Sequence, residues 1–369
     1  MARKLQSDKW LFLATLALIC ASVVMVYSAS ALVALERFQQ PYLFVTKQII
    51  WAFVGLAVLS IVMRVDYRTY RNDRFIWTLL GVVAVLLVAV LFSRSINGTR
   101  RWFGVGGFGV QPSELAKLAS ILFTALILER RRHRINELGY SLLPIAVIVG
   151  GLTGLILLEP DFGTAVSLIA VTAVMVFAAG FSYRYMFGGL LVALPVLYVV
   201  MMQADYRRRR LLIFLDPWSD PLGDGFQIIQ SLIAVGTGGV FGKGLMNGVQ
   251  KLFYLPEPHT DFIFSVISEE TGLIGATVVV LCFCVIAWRG MRTALRAPDG
   301  FGAFLALGIT MMVVLQALVN ISVVLGLMPT KGIPLPLVSN GGSSLLINLL
   351  SVGVLLNISQ HAETETGAA

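Results

Sequence analysis

The chain consists of long apolar segments joined by mostly short polar connections. An apolar run of about 20 residues is long enough to cross the hydrocarbon core of a bilayer as a helix. Strand-like alternation of apolar and polar positions is absent, which argues against a membrane β-barrel. We therefore predict an all-α polytopic membrane protein with about ten transmembrane helices. The predicted spans cover residues 10–32, 46–63, 75–93, 113–128, 142–158, 164–180, 185–202, 262–287, 301–327 and 343–358.

Composition supports this class. Hydrophobic residues make up 57% of the 369 residues and charged residues only 13%, whereas about 25% of a soluble domain is charged. The first apolar segment is soon followed by a second, so we interpret it as a retained helix and not as a cleaved signal peptide. No stretch resembles a separate soluble domain, and we expect residues 1–369 to form a single integral membrane domain.

The connections determine the expected orientation. Arginine-rich segments at 64–74, 129–134 and 289–296 occupy alternate connections, and the positive-inside rule places them, with both termini, in the cytoplasm. The net charge of +8 therefore follows from membrane orientation and does not indicate a nucleic-acid partner. The remaining connections face outward.

The outward connection at 203–261, between the seventh and eighth spans, is by far the longest. Within it, FQIIQSLIAVGTGGVFGKGL predicts a helix at the outer surface followed by a tight glycine-rich turn. Residues 236–244 nearly match a nucleotide-binding P-loop. Thr237 replaces its first glycine and Gly244 its final Ser or Thr, so we exclude that function.

An acidic residue lies where this loop enters the next apolar segment. Asp261, in FYLPEPHTDFIFSV (253–266), is at the edge of the eighth span. One interpretation is a helix N-cap, a position that favours Asp. The other is a general base, because a carboxylate beside the positive end of a helix stays ionised and can accept a proton. The two roles are compatible.

Further polar residues adjoin the apolar segments. Glu114 and Lys117, i,i+3 neighbours at the start of the fourth span, form either a structural pair or part of a substrate site. Arg101 either anchors a helix end or binds a pyrophosphate group. Glu269 and Glu270 lie inside the eighth span, where at least one needs a cationic partner or a proton; a structural role is favoured over catalysis.

Five motifs occur in one order along the chain: RRWFGVGGFGVQPSELAKLA, LEPDFGTA, LDPWSDPLGDGFQIIQSLIAVGTGGVFGKGL, LPEPHTDFIF and LMPTKGIPLPLVSNGGSS. Together they resemble the SEDS family (shape, elongation, division and sporulation) of bacterial membrane proteins. VQKLFYLPE and LMPTKG are more similar to its division branch than to its elongation branch, and the sporulation branch stays open. Asn340 replaces the tyrosine usual in the family, which removes any stacking role of that ring.

The resemblance implies a peptidoglycan glycosyltransferase. Its substrate would be lipid II, an undecaprenyl-pyrophosphoryl disaccharide-pentapeptide, polymerised on the outer face of the bacterial cytoplasmic (inner) membrane during septal wall synthesis. The implied partners are a class B penicillin-binding protein that crosslinks the strands, and other divisome proteins. The essential acid of the family corresponds to Asp261, and its Glu, Lys and Arg correspond to Glu114, Lys117 and Arg101.

His259, Lys251 and Ser339 are further candidates for substrate binding or site support. The scattered cysteines and histidines predict neither a disulfide nor a metal site. We expect no certain cofactor, although a divalent cation such as Mg²⁺ is a candidate for neutralising the pyrophosphate. A lipid II flippase and a non-catalytic divisome scaffold are the alternative functions. The acids cluster toward one side instead of lining a path across the membrane, which favours the enzyme.

Overall fold

The computed structural model describes residues 7–93, 100–105, 108–202, 205–223, 225–252, 254–330 and 332–366. Over these residues the chain forms twelve α-helices and one small antiparallel hairpin. The helices are α1 (Lys9–Phe38), α2 (Leu43–Val62), α3 (Asp73–Leu91), α4 (Pro112–Arg131), α5 (Leu143–Leu158), α6 (Phe162–Ala178), α7 (Tyr183–Met202), α8 (Asp205–Leu215), α9 (Phe226–Gly238), α10 (Ile263–Arg296), α11 (Gly300–Val324) and α12 (Gly342–Thr366). The hairpin, β1 (Phe103–Val105) and β2 (Phe108–Val110), precedes α4 and is too short for alternation to predict it.

Ten helices, α1 to α7 and α10 to α12, coincide with the predicted spans. Over the described part of the chain, seven helical segments are long and apolar enough to cross a membrane. The prediction of an all-α, multi-pass membrane protein is therefore confirmed. α4, α6 and α7 are not among the seven; α4 carries charged side chains near both ends, and α6 has only 17 residues.

The long connection at 203–261 contains two helices. α9 is the helix predicted from the apolar spacing, and it packs against α10 and α11. Its Ser231 Oγ lies 2.8 Å from Ser265 Oγ and donates a 2.7 Å hydrogen bond to the Val324 carbonyl. α8 contains the four-arginine run at 207–210, and apolar periodicity does not predict it.

Three helices form the centre of the bundle. The membrane-spanning windows of α11 and α12 are 67% and 78% buried, against 28% for those of α2 and α3. α4 is buried at nearly every position from Pro112 to Leu128. Because α4 is enclosed by other helices, its polar side chains face protein and not lipid.

The eighth predicted span is not one continuous helix. α10 is interrupted at Gly272, whose φ of 67° lies in the left-handed region that favours glycine. The glycine-rich turn at 239–244 replaces the lost helical bonds. Its N–H groups donate 3.0 Å bonds to the carbonyls of Glu269 and Glu270, and Leu273 N–H donates back at 2.9 Å. The tight turn predicted after α9 therefore supplies hydrogen-bond partners for the backbone groups of α10 on either side of Gly272.

Candidate active site

The turn that carries Asp261 leads directly into α10. The helix begins at Ile263, and Phe262 occupies the N-cap position without any side-chain capping bond. The N-cap interpretation of Asp261 is therefore wrong, because the helix starts one residue later than that role requires. The carboxylate lies on a turn at the end of the helix.

An amide from α11 fixes this turn. Asn320 Nδ2 donates a 2.8 Å hydrogen bond to the backbone carbonyl of Asp261 and a 2.7 Å bond to the carbonyl of Ile333. Asn320 is almost fully buried, with 1% of its surface exposed. One side chain thus joins the Asp261 turn to the segment between α11 and α12.

That segment contributes two more bonds to the turn. Ser339 Oγ donates to the carbonyl of Thr260 at 2.5 Å, and the backbone N–H of Asn340 donates to the carbonyl of His259 at 3.0 Å. Ser339 is the candidate named from the sequence, and its hydroxyl holds the main chain of the turn. Asn340 makes its contact through the backbone, so the bond does not depend on the side chain that departs from the family.

The same segment passes beside the carboxylate. A Cβ atom added to Gly332 would lie 2.7 Å from Asp261 Oδ2, closer than real Cβ contacts allow. Only glycine fits here without a shift of the carboxylate or of the segment. Lys331, the lysine of the PTKG motif, lies outside the described residues.

Glu114 and Lys117 form a buried ion pair with 3.0 Å between Oε2 and Nζ. Lys117 Nζ also donates a 2.9 Å bond to Gln316 Oε1, and Gln316 Nε2 donates a 3.0 Å bond to the Pro334 carbonyl. The pair is therefore connected to the same segment that lies beside the Asp261 carboxylate. Its location agrees with either of the roles that the sequence left open.

Sequence reasoning missed Gln316 and Asn320. They lie four residues apart on α11, so both project from one face of the helix toward the segment between α11 and α12. The signal was present, since two amides with helical spacing interrupt an otherwise apolar span. An amide buried in a membrane helix needs partners. Here both amide nitrogens donate to backbone carbonyls, and the Gln316 oxygen accepts from Lys117.

Arg101 is docked on the turn between α5 and α6. Its Nε donates a 3.0 Å bond to the Glu159 carbonyl, and another guanidinium nitrogen donates to the Pro160 carbonyl. The carboxylate of Asp161 lies 3.8 Å away. A quarter of the Arg101 side chain remains exposed, so the guanidinium is held in place without being enclosed.

Asp161 is itself well partnered. It accepts bonds from the Thr164 N–H at 3.2 Å, from the Thr164 hydroxyl at 2.8 Å and from Gln111 Nε2 at 3.1 Å. The Gln111 N–H in turn donates to Ser343 Oγ at 3.2 Å. This chain of contacts connects the Arg101 turn to the start of α12.

His259 lies two residues before Asp261 and is 7% exposed. Its ring packs against Phe44 with 4.7 Å between centroids. Burial lowers the pKa of His259, the charge of Arg37 lowers it further, and Glu257 opposes both. The net effect favours the neutral imidazole.

Lys251 contacts a different cluster. Its Nζ lies 2.5 Å from Glu270 Oε1 and 2.8 Å from Ser28 Oγ, while Lys243 pairs with Glu269 at 2.8 Å. From the sequence we expected at least one of the two intramembrane glutamates to have a cationic partner or a proton. In the structure both have a lysine partner. These contacts hold the loop after α9 against α10 and favour the structural interpretation of the glutamates.

No group of three or more His, Cys, Asp or Glu side chains that could hold a metal ion occurs in the described residues. Glu114, Asp161, Glu269 and Glu270 are instead engaged in ion pairs and hydrogen bonds. The site therefore contains a carboxylate on a turn held by hydrogen bonds, and an ion pair connected through Gln316 to the segment beside that carboxylate. It also contains a guanidinium on the turn between α5 and α6.

Comparisons with known proteins cover nearly the whole chain. The model of a cell cycle protein family that comprises FtsW, RodA and SpoVE matches residues 9–364. The probable peptidoglycan glycosyltransferase FtsW of Geobacter metallireducens is 45% identical over 95% of this chain and 94% of that protein. The stage V sporulation protein E of Bacillus subtilis is 43% identical over 98% of this chain and 99% of that protein.

Solved structures agree. One, described as the structural coordination of polymerization and crosslinking by a peptidoglycan synthase complex, has a TM-score of 0.81 at 32% identity, covering 97% of this chain and 99% of that chain. The crystal structure of the rod shape determining protein RodA of Thermus thermophilus has a TM-score of 0.71 at 28% identity, covering 96% and 97%. The resemblance inferred from the motifs is confirmed: the chain belongs to the FtsW, RodA and SpoVE family of cell cycle proteins.

Proposed function

We propose that this chain is a peptidoglycan glycosyltransferase that polymerises lipid II, with Asp261 as its general base. The observation that carries the proposal is the enclosure of the Asp261 turn, whose main chain is held by Asn320 and Ser339 while Gly332 lies beside its carboxylate. The name of the FtsW relative at 45% identity supports the activity. A base must be held within hydrogen-bond reach of its proton, and this turn provides such positioning.

The chemistry follows from one fixed carboxylate. Asp261 would take the proton of the 4-hydroxyl of the acceptor N-acetylglucosamine, and that oxygen would attack the anomeric carbon of the donor. The lipid pyrophosphate leaves with the bonding electrons, and the α-linked donor becomes a β-1,4 glycan. A single base and a good leaving group suit inversion without a covalent sugar intermediate. General-base assistance contributes about 10²–10⁴ in rate.

The other candidates take supporting or binding roles in this proposal. Arg101, with its partly exposed guanidinium, is the cation for the pyrophosphate. Lys117 is bonded to Glu114 and Gln316, so its burial favours support of the site over direct contact with substrate. Ser339 and His259 shape the turn. We assign no step and no protein ligand to Mg²⁺; undiminished polymerisation in excess chelator would rule it out.

The proposed location is the bacterial cytoplasmic membrane at the division septum, with both termini in the cytoplasm by the positive-inside rule. We propose a class B penicillin-binding protein as partner, in contact with the loop at 203–261. The complex described for the solved neighbour, which coordinates polymerization and crosslinking, supports this. Glycan synthesis by the mixed proteins should exceed the sum of each alone. Equal rates of glycan synthesis with and without the partner, under conditions where the complex forms, would contradict the proposed partnership.

The main experiment uses purified protein in liposomes that contain lipid II. We expect glycan polymer from the wild type, a loss of about 10²-fold or more in Asp261→Asn, and a normal rate in Glu36→Gln, an exposed acid on α1. Movement of lipid II across the bilayer without polymer would favour the flippase. Normal cell growth with Asp261→Ala would favour the scaffold.

A further inference from the structure

One buried acid near the site lacks a hydrogen-bond partner for its side chain within the part of the chain that the structure describes. Glu159, between α5 and α6, is fully buried, and neither of its carboxyl oxygens bonds to any described residue. An ionised carboxylate here would lose its hydration without compensation. Its surroundings therefore favour the neutral, protonated acid.

Two charged groups act on this carboxyl, Arg101 and Asp161. Arg101 donates to the main-chain carbonyls of Glu159 and Pro160. Asp161 is engaged by Thr164 and Gln111. Burial, followed by the charge of Asp161, raises the pKa of Glu159 to about 8, against the opposing charge of Arg101.

The protonation state of Glu159 sets the charge of this group. When Glu159 is neutral, the charges of Arg101 and Asp161 cancel, and the guanidinium can add an anionic ligand. When Glu159 is ionised, the group carries one net negative charge. The nearby carboxylate then attracts the guanidinium away from the main-chain carbonyls and repels a diphosphate.

We propose that Glu159 is a positioning residue that acts in its neutral form, keeping Arg101 on the turn between α5 and α6 and available to the diphosphate of the substrate. This inference rests on the proposed function, because it concerns how Arg101 meets the lipid pyrophosphate. The motif LEPDFGTA, which contains Glu159, does not by itself indicate this role. The inference predicts that substrate binding weakens as Glu159 loses its proton.

The first test is the pH dependence of polymerisation. We would measure KM and kcat for lipid II between about pH 6.5 and 9.5 in the wild type, Glu159→Gln and the exposed control Glu137→Gln. The protonated fraction of an acid of pKa about 8 falls about tenfold between pH 7 and 9, so the wild-type KM should rise about tenfold. Glu159→Gln, always neutral, should keep a flat KM, and Glu137→Gln should follow the wild type.

Two results would overturn the inference. One is a KM that rises equally with pH in the wild type and Glu159→Gln. The other is a Glu159→Gln protein that folds but is inactive at every pH. If Glu159 acts in its neutral form, a neutral glutamine of the same size should support activity.

A second test does not depend on activity. The folded pKa of Glu159 is raised, so its stabilisation is fully present below the ordinary pKa of about 4.3 and is lost as the pH rises to about 8. Thermal unfolding should show wild-type stability falling relative to Glu159→Gln between about pH 5 and 8, then running parallel. If the wild type shows this fall in stability but makes no glycan, the proposed function is wrong and the inference about Glu159 stands. If the protein is active but the stabilities of the wild type and Glu159→Gln change with pH in the same way, the inference about Glu159 is wrong and the proposed function stands.

Discussion

Asn320 binds the backbone carbonyl of Asp261 through a 2.8 Å hydrogen bond and, through the same amide, the carbonyl of Ile333 at 2.7 Å. One buried side chain therefore fixes both the turn that carries the proposed base and the segment that lies beside it. Such positioning matters because a displacement of about 1 Å can reduce an enzymatic rate about 10²-fold.

Replacing Asn320 should separate positioning from stability. We expect Asn320→Ala to lower the polymerisation rate by at least about tenfold. It should also lower the free energy of unfolding by about 1–3 kcal/mol, because a buried carbonyl and a partly buried one lose their donor. The matched control is Asn348→Ala, a buried amide bonded to Ser344 within α12. That variant should lose stability and keep its rate; equal loss of rate in both would contradict the positioning role.

Gly332 should tolerate no side chain. In Gly332→Ala the new Cβ would lie 2.7 Å from Asp261 Oδ2. The carboxylate or the segment must then shift, which changes their relative position, and the rate should fall about tenfold or more. Gly341→Ala, in the same segment, is the control, because its Cβ would meet only the Ser344 Cβ at an ordinary 3.6 Å. Polymerisation rates and unfolding temperatures of both purified variants would be compared. A fully active Gly332→Ala protein would show that the carboxylate need not be held there.

The Glu114–Lys117 pair should respond to charge balance. Lys117→Met leaves the buried Glu114 carboxylate without its cation, and we expect a loss of about 3–5 kcal/mol in unfolding free energy. Adding Glu114→Gln removes the orphaned charge and should restore part of that stability. Thermal unfolding of the two single variants and the double variant measures the coupling. Additive effects of the two substitutions would contradict the pairing.

The interruption in α10 should require glycine. Gly272 has a positive φ, and an added Cβ would lie 2.3 Å from the Gly242 nitrogen, so Gly272→Ala should destabilise the protein by at least about 1–3 kcal/mol. The control is Gly150→Ala on α5, where an added Cβ meets no atom within 4 Å. Unfolding temperatures in detergent test the difference. If Gly272→Ala is as stable as Gly150→Ala, the turn at 239–244 can move away from α10 without loss of stability, and the prediction is wrong.

The apolar runs and their lengths were enough to predict the membrane class and the positions of the helices. Apolar runs of sufficient length leave a chain no other way to satisfy its backbone in lipid, so each predicted span falls on a helix. The sequence also singled out Asp261, Glu114 and Lys117, because ionisable groups at the edge of an apolar segment need a reason to be there. These conclusions use information contained within a few turns of chain.

The partners of these residues, in contrast, depend on how the helices and loops pack together. Lys117 bonds to Gln316, 199 residues away, and Ser339 bonds to the turn residue Thr260, 79 residues away. Local spacing cannot specify such partners, because each buried polar group is satisfied by whichever segment the bundle brings beside it. The interruption at Gly272 and the burial of the Glu159 carboxyl have the same origin. Each follows from how distant segments pack together and not from the residues adjacent in sequence.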